Sequence, residues 1–191
     1  MITAILLAAG QSKRMGNKNK LAKKIKGIPL IKRSANNITS SSIDELIVVL
    51  GYQKKIIKKL IGRRKKIKFV FNKNFKTGMS SSIKIGVKNL SIKTDFFFIC
   101  LGDMPLVNKN IYNLLIKSRN KKKIIVPVYR GMQGNPVLFS KFMIKKIMNI
   151  KGDIGAKKIL KSNKDKILNL KVNHYGVTRG FDTKENFKKI F

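Results

Sequence analysis

The stretch AILLAAGQSKRMGNKNKL, residues 4–21, carries most of the information about the fold of this chain. Its apolar first half has the length and composition of a strand that is buried on both faces. The run ends in Ala8, Ala9 and Gly10, and a basic, glycine-flanked loop with Arg14 and Lys20 follows. Small residues at such a turn let phosphate oxygens or a base approach the backbone, and the cations attract anions. A tight turn with surface lysines explains the same pattern, so spacing alone leaves both interpretations open.

Apolar runs and helical segments alternate along the rest of the chain. Together with the run at 2–8, the pattern predicts five strands, at 2–8, 45–51, 67–71, 95–103 and 123–129. Segments with helical spacing follow them, at 29–38, 53–61, 80–90, 108–117, 140–149 and 152–160. The serines at 80–82 predict an N-cap cluster for the third of these helices. The alternation predicts an α/β protein with a mostly parallel sheet, in which ligands bind beyond the carboxyl ends of the strands.

The charge of the chain is extreme, at +36 from 44 basic and only eight acidic residues. A field of this sign favours nucleic acid or another anionic partner. However, only seven of the basic residues are arginine, and lysine, isoleucine and asparagine are all abundant, as an AT-rich coding sequence would produce. The aromatic residues also lie in apolar runs and not between exposed cations. We therefore expect no specific nucleic-acid partner, although a phosphate-rich ligand would be drawn to such a protein.

Several function classes are excluded by composition. A single cysteine, Cys100, leaves no internal disulfide or cysteine cluster, and a single histidine, His174, argues against a histidine-based zinc site. No apolar run is long enough to span a membrane, so we expect no membrane partner. The opening run lacks the basic segment of a secretion signal, which predicts a cytoplasmic protein. The length of 191 residues predicts one domain, residues 1–191.

Three later stretches place polar groups where a ligand could bind. In LGDMP, Asp103 follows a very apolar strand and is either a helix cap or a ligand for a hard cation such as Mg²⁺, which combines few carboxylates with substrate phosphates. In the glycine-rich run 128–140, Asn135 either reads a polar ligand or closes a turn. In GFDTKENF, Asp182 is either a helix cap or a second metal ligand.

In combination and in order, these stretches resemble the MobA-like nucleotidyltransferase family, over nearly the full chain. The matching segments are LLAAGQSKRMG at 6–16 with Lys20-Leu21 after it, GIPLI at 27–31, GMSSSIKIG at 78–86, LGDMPLV at 101–107, the run at 127–139, GDIGAKKIL at 152–160 and FDTKEN at 181–186. Within the family the likeness is greatest to enzymes that transfer cytidylyl groups to the molybdenum cofactor. It implies a Rossmann-like three-layer α/β/α domain that uses CTP and Mg²⁺ and releases pyrophosphate.

The resemblance also assigns roles to residues. It implies a nucleotide-binding half, about 1–107, and an acceptor-binding half, about 108–191. Arg14, Lys20 and Asp103 are the expected catalytic residues, and Asp103 and Asp182 the expected metal ligands. Acceptor binding falls to Gly134, Asn135, Pro136 and Asp182. The expected nucleotide-binding residues are Leu7, Ala8, Ala9, Gly10, Arg14, Lys20, Gly78, Ser81, Ser82 and Asp103.

The expected acceptor is the molybdopterin cofactor, with a molybdoenzyme client or chaperone as a possible protein partner. Guanylyltransferase relatives typically have LAGG where this chain has LAAG, so Ala9 favours CTP over GTP. Three alternatives remain open. They are a related enzyme that uses GTP or a sugar or alditol phosphate, a basic nucleic-acid-binding protein, and a maturation factor that binds the cofactor without nucleotidyl transfer.

Overall fold

A computed structural model describes residues 1–12, 19–119, 122–152 and 157–181 of the chain. The strands within these ranges are β1 (Ile2–Ala8), β2 (Lys24–Ile25), β3 (Ile28–Pro29), β4 (Glu45–Leu50), β5 (Ile67–Phe71), β6 (Phe96–Leu101), β7 (Ile124–Tyr129), β8 (Met132–Gln133), β9 (Val137–Ser140) and β10 (Ile167–Lys171). The α-helices of the described residues are α1 (Leu30–Thr39), α2 (Lys54–Ile61), α3 (Met79–Lys88), α4 (Lys109–Lys117), α5 (Ile144–Met148) and α6 (Lys157–Lys161).

All five strands predicted from the apolar runs are present, as β1, β4, β5, β6 and β7. The predicted helix at 140–149 is shorter than expected, because Lys141–Met143 forms a 3-10 turn before α5. Of the predicted helix at 152–160, the described part is α6, and residues 153–156 lie outside the described residues. The strands that were not predicted include β9, which has only four residues, and β10, in which exposed Asn169 and Lys171 interrupt the apolar pattern.

The main sheet has the strand order β10-β7-β9-β6-β1-β4-β5, and β8 pairs with β7. Neighbouring strands on this path are parallel, except that β9 is antiparallel to both β6 and β7. The predicted mostly parallel sheet is therefore confirmed. A separate two-stranded hairpin, β2 with β3, joins the loop after β1 to α1.

The helices cover both faces of this sheet, which gives the three layers of an α/β/α domain. On β1, Ala4, Leu6 and Ala8 belong to a core cluster that includes buried residues of α1, α2 and α4. Ile5 points to the opposite face, into a cluster that includes residues of α3, α5 and α6. Alternation of buried side chains to two faces explains why the central strands are apolar at nearly every position. Among the described residues, no helix is long and apolar enough to cross a membrane.

Candidate active site

The strand order reverses direction at β1, and this creates a crevice at the carboxyl ends of β1 and β6. The chain moves from β1 outward to β4 and β5, then returns to place β6 on the other side of β1. The two strand tips stay in contact beyond the last paired residues, since the Gly102 N–H donates to the Leu7 carbonyl over 3.1 Å. A reversal of this kind is where open α/β sheets bind ligands. The two stretches singled out from the sequence, after β1 and after β6, therefore meet at one edge.

Asp103 and Lys20 form an ion pair at this edge, with Nζ of Lys20 2.5 Å from Oδ2 of Asp103. Their side chains are 12% and 18% exposed, respectively, so the pair is largely shielded from bulk water. Such a pair is screened less by salt than a surface pair. Asp103 does not cap the next helix, because α4 begins six residues later and Asn108 caps it by accepting the N–H groups of Asn110 and Ile111.

Local structure explains how Lys20 reaches this position. It begins a 3-10 turn, Lys20–Ala22, in which the Asn19 side chain accepts the Leu21 N–H. The Lys20 N–H donates to Oγ of Ser12 over 3.1 Å, which connects the two ends of the loop after β1. Arg14, the other cation predicted for this loop, lies outside the described residues.

The two alanines at the end of β1 are packed inside the protein, whereas Gly10 after them is exposed. Ala8 and Ala9 are buried, and Leu7 lies among the partly buried residues of the sheet. The Ala9 carbonyl accepts the Tyr52 N–H over 3.2 Å. Gly51, which the sequence analysis did not single out, makes this approach possible, because a Cβ there would lie 2.6 Å from the Ala9 carbonyl oxygen. Its position at the end of the apolar run ELIVVLG was the available clue.

Gly10 differs from the two alanines in its exposure and its packing. It is exposed, and a Cβ built on it would have no atom of the described residues within 4 Å. No packing among the described residues therefore requires glycine at this position.

The N-terminal end of α3 differs from the prediction. Gly78, with φ of 104°, precedes the helix and no side chain caps it. The serines at 80–82 lie in the first turn, so the predicted N-cap cluster is wrong. The Ser81 hydroxyl instead donates towards the Gly78 and Asn74 carbonyls, and both Ser81 and Ser82 accept hydrogen bonds from Nδ2 of buried Asn72. The first turn of α3 is therefore held by hydrogen bonds of Ser81 and Ser82 and not by an N-cap side chain.

Asn72 holds the first turn of α3 in place, and it was not among the residues predicted from the sequence. Besides its contacts to the two serines, its Oδ1 accepts the Asn74 N–H over 3.0 Å. It is 1% exposed and directly follows β5, so an asparagine at a strand end was the only sequence clue.

The predicted acceptor-binding loop reaches the same edge of the sheet, because β9 is antiparallel to β6. Val137, the first residue of β9, pairs with Ile99 near the carboxyl end of β6. The loop residues Gly134, Asn135 and Pro136, which precede β9, therefore lie at the end of the sheet where Asp103 follows β6. The Asn135 N–H donates to the Val177 carbonyl over 2.7 Å. A Cβ on Gly134 would lie 2.3 Å from that carbonyl oxygen, so only glycine fits this close approach.

The chain then returns from Val177 to Asp103. The Phe181 N–H donates to the Asp103 carbonyl over 3.0 Å, and the Phe181 side chain is fully buried. Asp182, predicted as a metal and acceptor ligand, follows Phe181 directly but lies outside the described residues. The described residues therefore join the acceptor loop, Val177 and Phe181 to the carboxylate-bearing loop through backbone hydrogen bonds.

Neither Cys100 nor His174, the one cysteine and the one histidine of the chain, is placed as a free nucleophile or base in the described part of this edge. Burial raises the pKa of the Cys100 thiol, on β6, to about 12, so it stays protonated at neutral pH. His174 bonds through Nδ1 to the Gly176 N–H and through Nε2 to the Asn108 side chain. Among the residues that the structure describes, no three His, Cys, Asp or Glu side chains converge on one metal position. A single carboxylate beside a lysine suits Mg²⁺ only when substrate phosphates supply further ligands.

Known proteins resemble this chain over most of its length. The chain is 29% identical over 140 residues to the molybdenum cofactor cytidylyltransferase of Escherichia coli (strain K12). The aligned region covers 73% of this chain and 70% of that enzyme. This chain is 28% identical over 130 residues to a probable molybdenum cofactor guanylyltransferase of Methanosarcina acetivorans, covering 65% and 56%. The bifunctional protein GlmU of Staphylococcus epidermidis is 25% identical, and this chain spans only 29% of its length.

The fold itself occurs in solved structures. Rv0371c from Mycobacterium tuberculosis H37Rv superimposes with a TM-score of 0.87 at 21% identity, covering 99% of this chain and 96% of that one. A second crystal structure of Rv0371c is a complex with manganese, with a TM-score of 0.80 at 19% identity. Residues 4–167 match the family model of the MobA-like NTP transferase domain. This match covers most of the described sheet and both tips of the crevice, and the chain accordingly belongs to the MobA-like NTP transferase family.

Proposed function

We propose that this protein transfers CMP from CTP to the terminal phosphate of the molybdopterin cofactor and releases pyrophosphate, with Mg²⁺ as its metal ion. The observation that carries this proposal is the Lys20–Asp103 pair at the crevice between β1 and β6. It combines a cation for phosphate oxygens with a carboxylate for a hard metal ion, at the edge where such sheets bind ligands.

Nucleotide binding is assigned to the half of the chain up to about residue 107. The open backbone at Gly10, with Lys20 and Arg14 as cationic partners, would receive the phosphates. Gly78, Ser81 and Ser82 would border the base and ribose, held in place by Asn72. The preference for CTP rests on Ala9 in the LAAG sequence, where guanylyltransferase relatives typically have LAGG, and on the 29% identity to a cytidylyltransferase.

Asp103 and Asp182 would hold the metal ion. Asp182 directly follows Phe181 in the sequence, and the Phe181 N–H donates to the Asp103 carbonyl over 3.0 Å. When bound, Mg²⁺ would supply positive charge that neutralises part of the charge of the nucleotide phosphates. Acceptor binding is assigned to the half from about 108 onwards, with Gly134, Asn135 and Pro136 close to the same edge.

The reaction is an in-line displacement at the α-phosphorus of CTP. An oxygen of the acceptor phosphate forms the new P–O bond while the bond to the β-phosphate oxygen breaks, and pyrophosphate leaves with that electron pair. The nucleophile is already an anion, so no general base is required. Lys20 and Arg14 would contribute by positioning the triphosphate and by offsetting charge on the leaving group.

The test is incubation of the purified protein with molybdopterin cofactor, Mg²⁺ and either CTP or GTP, followed by mass measurement of the product and detection of pyrophosphate. The proposal predicts a CMP adduct of the cofactor, formed faster from CTP than from GTP. Formation of a GMP adduct, or turnover only with a sugar or alditol phosphate, would assign the related alternative activity. An absence of pyrophosphate release with every acceptor and nucleotide would overturn the proposal.

A further inference from the structure

Phe181 occupies a small apolar cluster of its own, apart from the two large cores on the faces of the sheet. Its side chain is fully buried against Ile25 and Leu30, and partly buried Leu106 packs on the same cluster. A small cluster of this kind stabilises the sheet less than the two main cores do. A large aromatic residue there is therefore better explained by what it holds in place locally.

The residues around the Phe181 ring come from the two segments that carry the ion pair. Ile25, in β2, follows Lys20 by five residues, and Leu106 follows Asp103 by three. The segment after Lys20 is fixed in turn, since the Leu30 N–H donates to the Lys23 carbonyl over 2.8 Å and Nη2 of Arg33 donates to the Ile25 carbonyl over 3.0 Å. The ring therefore packs between two segments that sequence separates by more than 80 residues.

The backbone of Phe181 contacts the carboxylate-bearing residue directly. Its N–H donates to the Asp103 carbonyl over 3.0 Å, which fixes the main chain from which the carboxylate projects. Four residues earlier, the Val177 carbonyl accepts the Asn135 N–H, so the same segment also connects the acceptor loop. One buried ring and two backbone bonds thus connect the segment 177–181 to the Lys20 segment, the Asp103 loop and the acceptor loop.

We infer that Phe181 is a positioning residue, which holds the Lys20 and Asp103 segments at the separation that metal-bound nucleotide requires. The inference rests on the proposed function, because it assumes that metal and nucleotide bind at this pair. Mutation of a residue that orients a metal ligand typically reduces metal affinity or activity by about 10- to 100-fold. A displacement of about 1 Å at a reacting group has a comparable effect on rate.

The test compares two identical substitutions at equally buried phenylalanines, Phe181→Leu and Phe139→Leu. Phe139 is also fully buried but lies on β9, in the core cluster that includes α3, α5 and α6. Isothermal titration measures binding of Mn²⁺·CTP and, with chelator present, of CTP alone, which requires neither acceptor nor turnover. The ratio of the two affinities reports the contribution of the metal. Phe181→Met serves as a second variant if Phe181→Leu does not give a cooperative thermal transition.

The inference predicts that Phe181→Leu reduces the metal-dependent gain in CTP affinity by about tenfold, whereas Phe139→Leu changes it by less than about twofold. Both variants should lose thermal stability, since both leave a cavity. Equal ratios in Phe181→Leu and Phe139→Leu would overturn the positioning role. If the unmodified protein itself binds no Mn²⁺·CTP, the proposed function fails first, and that result is distinct because it appears without any substitution.

Discussion

The Lys20–Asp103 pair allows its contribution to stability to be separated from its contribution to activity by a double-mutant cycle. The two charges are 2.5 Å apart and at most 18% exposed, so their attraction is substantial, but so is the cost of removing both from water. Losing one partner of such a pair leaves the other charge poorly solvated. We therefore expect Lys20→Met and Asp103→Asn each to lower the free energy of unfolding by about 3 kcal/mol.

The double variant should behave differently, because it removes both charges together. We expect it to unfold within about 1 kcal/mol of the unmodified protein, which corresponds to a coupling energy of at least about 5 kcal/mol across the cycle. Activity should not recover in parallel. Lys20→Met should reduce the rate by about 10²- to 10³-fold, as loss of one preorganised donor does, and the double variant should be at least as impaired.

Urea unfolding followed by circular dichroism gives the stabilities, and pyrophosphate release gives the rates. The matched control is Lys141→Met, which removes the lysine from an exposed pair with Asp95, with side chains 48% and 50% exposed. This substitution should leave the urea midpoint nearly unchanged, since exposed pairs contribute little. Additive effects of Lys20→Met and Asp103→Asn on stability, or recovery of turnover in the double variant, would refute the reasoning.

Four further predictions concern single positions. Gly10→Ala should leave the urea midpoint unchanged but raise the KM for CTP about tenfold, because a methyl group there would contact no described residue and would enter the proposed phosphate site; an unchanged KM would place the nucleotide elsewhere. Ala9→Gly should raise the ratio of GTP to CTP use about tenfold in kcat/KM, and a constant ratio would remove Ala9 from base selection. Asp182→Asn should raise the Mg²⁺ concentration for half-maximal rate about tenfold, whereas exposed Asp165→Asn should not, and equal responses would argue against Asp182 as a ligand. Since burial raises the pKa of Cys100 to about 12, its thiol stabilises the fold fully below about pH 9 and progressively less as the pH rises towards 12. Cys100→Ala should therefore reduce the alkaline loss of stability by about 1.4 kcal/mol per pH unit, measured as urea midpoints between pH 9 and 11, and an unchanged slope would contradict this.

Much of the central sheet was predictable because its strands are defined locally. A strand that is buried on both faces must be apolar at nearly every position, and β1, β4 and β6 show this over six or seven consecutive residues. The short strand β9 lacked the length for such a pattern, and β10 lies at the sheet edge, where exposed Asn169 and Lys171 break it. The serine-rich start of α3 suggested side-chain capping, yet the glycine before it determined where the helix begins.

Some features of the candidate site follow from local sequence, and others depend on contacts between distant parts of the chain. The residues of the crevice could be named from the sequence, because small residues after β1 and an acid after β6 are local features, and the sequence also pointed to the family. Only the tertiary structure decided that Lys20 contacts Asp103, that Asn72 holds Ser81 and Ser82, and that Phe181 closes onto the Asp103 loop. The first and last of these contacts join residues about 80 positions apart in the chain. Such contacts arise from the crossover that places β6 beside β1 and from the antiparallel course of β9, and no short sequence pattern encodes either of them.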